Sequence, residues 1–256
     1  MKDTSSIKEL DITDLNKVQK IVEDCKPEII INCAAYTAVD NAETDVELAR
    51  KINADGPANL AIVAKKIGSI LVHVSTDYVF GGDLDLDKSY YEDDEKNPQT
   101  VYGTTKLEGE KAIAENMEKF YIFRTAWLYG LGKNFVRTMM KAGKENNVVN
   151  VVCDQHGSPT YTVDLANIIA DALQKEIPYG IYHATNVGFT TWFEFTKKIY
   201  ELADIYCEVN PVTTEDFPRP AKRPANSKLS KEKLNTVGIQ IPEWEDALKR
   251  YLEVEN

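Results

Sequence analysis

Three side chains in this sequence could together protonate a carbonyl. Tyr102 and Lys106 stand four residues apart in "VYGTTKLEGEKA", and Thr76 ends the apolar run "ILVHVST". Leu107, Ala112 and Ile113 predict a helix from about Val101, opened by the turn signal Asn97-Pro98. Residues four apart share a helix face. A free phenol has a pKa of about 10, too high to be well matched at neutral pH. A lysine ammonium beside it favours the phenolate and lowers that value. A threonine hydroxyl at a strand end can orient the carbonyl oxygen while the phenol protonates it, as is needed when hydride arrives at the carbonyl carbon. Taken alone, Tyr-x-x-x-Lys is a weak signal that chance often produces. Ser75-Thr76-Asp77 reads equally well as a helix cap or turn.

The elements that must position these groups alternate. "EIIINCAA" (28–35) reads as a strand buried on both faces, and a helical stretch follows from about Thr44 to Gly68, with Gly56-Pro57 as an interruption. "ILVHVS" (70–75), "FYIFRTAWLYG" (120–130) and "VVNVVC" (148–153) read as further strands, with helices between them. Buried strands alternating with helices imply an α/β fold with a Rossmann-like parallel sheet. Beyond Asp154 the texture changes to turns, short helices and a loop rich in Pro, Thr and Arg (211–227), which predicts a smaller second lobe. The expected division is a cofactor-binding domain over 1–154 and a mainly substrate-binding lobe over 155–256, some of whose elements pack back on the first. Ligands of open parallel sheets bind beyond the carboxyl ends of the strands. Three such ends are unusual here: "NCAAYTAVD", whose Ala34 and Ala35 leave the backbone bare, "VSTDYVFGG", and "RTAWLYG" with Trp127.

Composition narrows the function. The chain has 256 residues, 43% of them hydrophobic and 28% charged, enough for one large or two small domains. The net charge is −11, and "KRPANSKLSKEK" is the one basic run of note, so a solvated loop is expected there and no nucleic-acid partner. An acidic total still allows an anionic small molecule at a local positive site. Cys25, Cys33, Cys153 and Cys207 form no Cys-x-x-Cys, and Cys33 and Cys153 are expected to pack as small hydrophobes. His73, His156 and His183 have no metal-ligand spacing, so no metal residue is assigned. Without a signal peptide or a membrane-length apolar run, a cytoplasmic setting with no membrane contact is expected.

The blocks "LDITD", "PEIIINCAAYTAVDNAE", "VHVSTDYVFGG", "NPQTVYGTTKLEGEKA", "FRTAWLYG", "DQHGSPTYTVDLA" and "TTEDFPRPAKRPANSKL" occur in this order. Together they resemble the extended short-chain dehydrogenase/reductase superfamily, and more narrowly its dTDP-4-dehydrorhamnose reductase family. The resemblance implies NAD(P)H-dependent reduction of the C4 keto group of dTDP-4-dehydro-β-L-rhamnose to dTDP-β-L-rhamnose, with NADPH or NADH as cofactor. It implies catalytic roles for Thr76, Tyr102 and Lys106, with Tyr102 as proton donor and Lys106 also bonding the nicotinamide ribose. Asp11 and Ile12 match the pair beside the adenine, and Ala34, Ala35, Tyr36 and Thr37 the stretch along the cofactor. Thr76, Asp77 and Trp127 match substrate contacts, and Arg223 is expected to help hold the substrate diphosphate. A homodimer is implied as well, in some members through a bound magnesium. A non-catalytic relative, the regulatory β subunit of methionine adenosyltransferase, is the rival reading; a reductase of another dTDP-deoxysugar is a third.

One departure bears on the cofactor. The family opens with a strand, a G-x-x-G-x-x-G turn and a helix, where helix N–H groups receive the pyrophosphate. Here "MKDTSSIKELDITD" precedes the first matching strand, and the 13 glycines form no such cluster. A longer working protein, a true truncation repaired by another segment, or a non-catalytic relative would each account for this. The latter two predict weak cofactor binding.

Overall fold

The computed structural model describes residues 10–255. The stretch before Leu10, where the missing strand and turn would be sought, lies outside the described residues. At the centre is a four-stranded parallel sheet: β1 (Ile29–Asn32), β2 (Ile70–Thr76), β3 (Phe120–Thr125) and the strand Gly180–His183, hydrogen-bonded in that order. In register, Ile31 faces Val72, Thr76 faces Thr125, and Arg124 faces His183. The fourth strand comes from the C-terminal half of the chain. Val148–Val152, expected within the run of buried strands, instead pairs with Glu208–Val212 in a separate two-stranded sheet.

Two apolar layers enclose the sheet. Val18, Val22, Leu60, Val63, Leu71, Ile113 and Ile122 form one, under the helices Leu15–Cys25 and Gly56–Ile67. Phe123, Leu165, Ile168, Tyr182 and Leu234 belong to the other, built around the helix Thr162–Gln174. A third core of Tyr129, Val136, Phe195, Ile199, Trp244 and Tyr251 belongs to the C-terminal lobe. Burial of this kind is the main favourable term for the fold.

Three expectations fail in the N-terminal half. β1 is not buried on both faces: Ile29 is 37% exposed and Ile31 52%. Among the described residues no strand pairs with its outer side, so it forms the sheet edge. Cys33, just past it, is exposed rather than packed. Gly56-Pro57 does not interrupt the helical stretch. Val46–Arg50 runs through a π-helical turn, Lys51–Asp55, into Gly56–Ile67 with proline in its first turn, where the missing N–H costs least.

The helix Val101–Asn116, hereafter the site helix, begins as predicted. Thr100 caps it by accepting from Gly103 N–H at 3.0 Å. Two glycines seat it. A Cβ on Gly103 would run into the Tyr78 carbonyl, and one on Gly109 into the Asn53 carbonyl. Gly103→Ala should therefore cost roughly 1–3 kcal/mol of stability, read as a lower denaturant midpoint. An unchanged midpoint would mean that the site helix does not sit this close to the turn after β2.

Candidate active site

Strand β2 delivers Thr76 and Asp77 to the carboxyl edge of the sheet, and the site helix brings Tyr102 and Lys106 to the same edge. Thr76 caps the short turn Asp77–Val79: its Oγ1 accepts from Tyr78 N–H at 3.2 Å and donates to Asp77 Oδ1 at 2.9 Å. The cap role open to this residue in the sequence is thus filled. Asp77 is buried, and Ser227 Oγ donates to its Oδ2 at 2.5 Å. Burial raises its pKa to about 6, against the hydrogen bonds from Ser227 and Thr76 that lower it. The carboxylate therefore ties β2 to the loop of the C-terminal lobe at neutral pH.

Tyr102 is half-buried, its ring edge-on to Tyr78 at 5.5 Å between centroids. Its phenol departs from the expected acidification. Burial pushes its pKa up to about 12, the Thr76 hydroxyl beside it pulls the other way, and the Asp77 charge adds to the rise. The lysine spends its own hydrogen bonds elsewhere. Lys106 is 1% exposed; its Nζ donates to Val74 O at 2.7 Å and lies 2.9 Å from His73 Nε2. Burial lowers the lysine to about 8, with Glu110 and Cys33 opposing.

The strip after β1 fits the cofactor role implied for it. Ala34 is exposed and bears only a methyl group, Ala35 is half-buried and Thr37 exposed. Asn53 holds the backbone of Tyr36 with both ends of its amide: Oδ1 accepts from Tyr36 N–H at 2.8 Å, and Nδ2 donates to Tyr36 O at 3.2 Å. The Tyr36 hydroxyl donates to Asp45 at 2.5 Å. A flat ligand could lie on the bare backbone with Lys106 and Tyr102 at one end. Farther along, Asp11 accepts from Thr13, holding its carboxyl below the usual range, and the Ile12 side chain packs into the core. An adenine contact from Ile12 would have to come from its backbone. Among the described residues no glycine-rich turn meets this strip, so no group here is assigned to a pyrophosphate.

Opposite the strip, Tyr78, Trp127, Gln155, Trp192, Arg223, Pro224 and Ser227 line a cavity of about 210 Å³. Trp127 has φ of +50° and stacks on Trp192 at 3.6 Å, with Gly157 against its ring. A bulky residue held in the left-handed region is strained, and such strain gathers at functional sites. Arg223 is 2.8 Å from Asp40, and its other terminal nitrogen donates to Ala221 O at 3.1 Å. Thr76, Asp77, Tyr102, Lys106, Trp127 and Arg223 thus share one region. Tyr78, Ser227, Trp192, Gln155 and Asp40 were not singled out from the sequence; Ser227 could have been found, since it closes the "PAKRPANS" block. Among the described residues no three His, Cys, Asp or Glu side chains gather as a metal site, which leaves the implied magnesium without support. No helix among them is long and apolar enough to cross a membrane.

Comparison with known proteins identifies the family. Residues 3–256 match the family described as RmlD substrate binding domain. A dTDP-4-dehydrorhamnose reductase of Streptomyces griseus is 43% identical over 93% of this chain and 81% of its own length. A probable dTDP-4,6-dihydroxy-2-methyloxan-3-one 4-ketoreductase of Streptomyces antibioticus is 41% identical over 94% of this chain and 82% of its own. The crystal structure of dTDP-4-dehydrorhamnose reductase from Bacillus anthracis, in complex with NADP, superposes with a TM-score of 0.93 at 44% identity, covering 97% of this chain and 88% of that one. The chain belongs to the dTDP-4-dehydrorhamnose reductase family.

Proposed function

We propose that this chain reduces the C4 keto group of dTDP-4-dehydro-β-L-rhamnose, giving dTDP-β-L-rhamnose. The meeting of Thr76, Tyr102 and Lys106 beside a cavity walled by Trp127 and Arg223 carries the reading. The reduced nicotinamide cofactor, when bound, supplies hydride to the ketone carbon. Tyr102 breaks its O–H bond and hands that proton to the ketone oxygen. Held well above neutrality, the phenol is fully protonated and so carries the proton to be given, at the cost of a weaker driving force than a pKa near neutrality would supply. Thr76, anchored by Asp77, orients the same oxygen. Lys106 binds at the ribose end of the cofactor, and its ammonium form, which prevails at neutral pH, stabilises the phenolate left on Tyr102. Residues 1–154 would chiefly hold the cofactor and 155–256 the sugar nucleotide, in the cytoplasm.

Oxidation of NADPH or NADH on adding the 4-dehydro sugar nucleotide tests this directly, and running the two cofactors side by side decides the preference. No oxidation by a chain that binds both ligands would reject it. The Streptomyces antibioticus relative favours one further reading, a 4-ketoreductase of another dTDP-deoxysugar. A panel of dTDP-4-keto sugars separates the two by their kcat/KM.

Among the described residues Arg223 is the sole cation lining the cavity, and we assign it to the substrate diphosphate. It would have to exchange Asp40 for phosphate oxygens. Arg223→Ala should raise KM for the sugar nucleotide by roughly tenfold to a hundredfold, the worth of a charged hydrogen bond, with kcat little changed. An unchanged KM removes it from the site.

A further inference from the structure

Behind the lysine a hydrogen-bond chain of defined polarity runs from β1 through β2 to the site helix. Asn32 Oδ1 accepts from Ala34 N–H at 3.1 Å, so its amide nitrogen faces His73 Nδ1, 3.0 Å away. Nδ1 must therefore accept. His73 is fully buried and neutral in either state of Lys106: burial is the first cause that pushes its pKa well below the ordinary histidine range, and the ammonium form of Lys106 adds to it. A neutral imidazole carries a single ring proton, which must then sit on Nε2. That atom lies 2.9 Å from Lys106 Nζ. Two donors cannot share one hydrogen bond, so in this arrangement Nζ takes this one as a neutral amine, the form that prevails above its titration near 8, while it donates to Val74 O.

Charging the lysine reverses the chain. One proton enters from water onto Nζ. The ring keeps its one proton, moved from Nε2 to Nδ1, so that Nε2 can accept from the ammonium. The Asn32 amide turns its oxygen to the ring, and Ala34 N–H loses its acceptor. We propose that Asn32 and His73 are positioning residues that couple the charge of Lys106 to the backbone N–H of Ala34. The lysine's proton and a donor on the cofactor strip then change together. The functional meaning rests on the reductase reading, in which Lys106 and Ala34 both face the cofactor. The groups that face Lys106 are His73 and the Val74 carbonyl from β2, Glu110 from its own helix and Cys33 from the strip. Glu110 is itself bound by Arg124 and Ser75. His73 is faced by Asn32 and Lys106.

Long-range proton–nitrogen correlation spectra of the whole chain read the His73 tautomer without turnover, with the resonance assigned by its loss in His73→Asn. Above the lysine's titration near 8, the expected form carries its proton on Nε2. As pH falls through that value the ring should exchange to the Nδ1–H form and stay neutral. Asn32→Asp places acceptors toward both Ala34 N–H and the ring. That variant should hold Nδ1–H throughout and move the alkaline limb of NADPH oxidation up by about one pH unit or more. A wild-type ring that keeps Nδ1–H at alkaline pH overturns the proposal, as does an Asn32→Asp chain whose tautomer matches the wild type. If Asn32→Asp does not fold, the wild-type titration still decides. A chain that shows the exchange but never oxidises NADPH would sink the reductase reading and leave the coupling standing.

Discussion

Tyr102→Phe is expected to lower kcat for the keto reduction by about a hundredfold to ten-thousandfold, the usual worth of a positioned general acid. Substrate affinity should barely move. Only the hydroxyl is lost, and the ring keeps its edge contact with Tyr78. The effect belongs at the large end of that range, because no other described acid is placed to replace the phenol. Asp77, the nearest carboxyl, is committed to Thr76 and Ser227. Single-turnover kinetics with saturating cofactor, beside equilibrium titration of the sugar nucleotide, separate the two effects. A phenylalanine variant with full turnover would show that the proton comes from elsewhere.

The second large effect concerns stability, and it arises one layer behind the site. Glu110 and Arg124 are 2% and 1% exposed and pair at 2.7 Å. Arg124 also donates to the Glu92 carbonyl, Ser75 donates to Glu110 at 2.5 Å, and Glu92 Oε1 accepts from His183 N–H. This network joins the site helix, β2, β3, the fourth strand and the loop that carries Glu92. Glu110→Ala should cost about 3–5 kcal/mol, because the guanidinium stays buried without its counter-charge. The melting temperature would fall by roughly 10 °C for a chain of this size. Replacing both partners with apolar residues of similar volume should cost less than either single change. Thermal unfolding of the two singles and the double completes the cycle. If Glu110→Ala melts with the wild type, the pair does not hold these elements together.

Much of the site was legible because local rules govern it. Tyr102 and Lys106 share a face by helical period, and Thr100 and Pro98 mark where that helix starts. Thr76 had to end a strand, since its apolar run stops there. The alternation of runs and helices required a parallel sheet. The family blocks supplied Trp127, Asp77 and Arg223, which no spacing rule would have joined: Arg223 lies more than a hundred residues from Tyr102 and reaches the site only through the fold.

What failed did so for nonlocal reasons. The apolar run of β1 cannot state whether its outer side meets another strand; Ile29 and Ile31 are exposed because none of the described strands lies there. Val148–Val152 has the same apolar texture as the central strands, yet its partner is Glu208–Val212. The reversed shift of Tyr102 is the most instructive case. A lysine four residues along a helix is near in sequence terms, but burial of the phenol sets the direction of its shift, and the lysine's own hydrogen bonds go elsewhere. His73 and the Val74 carbonyl, both from β2, hold the Lys106 amine.

By itself, then, the chain of residues determined the element types and offered the candidate acid, hydroxyl and amine. These depend on periodicity and side-chain type, which short stretches carry. Tertiary structure alone decided the protonation states and the partners: the phenol raised by burial, Asp77 locked to Ser227, and Lys106 turned toward His73. Those depend on desolvation and on which donors and acceptors meet across the sheet, and distances between remote segments are set only when the whole chain packs.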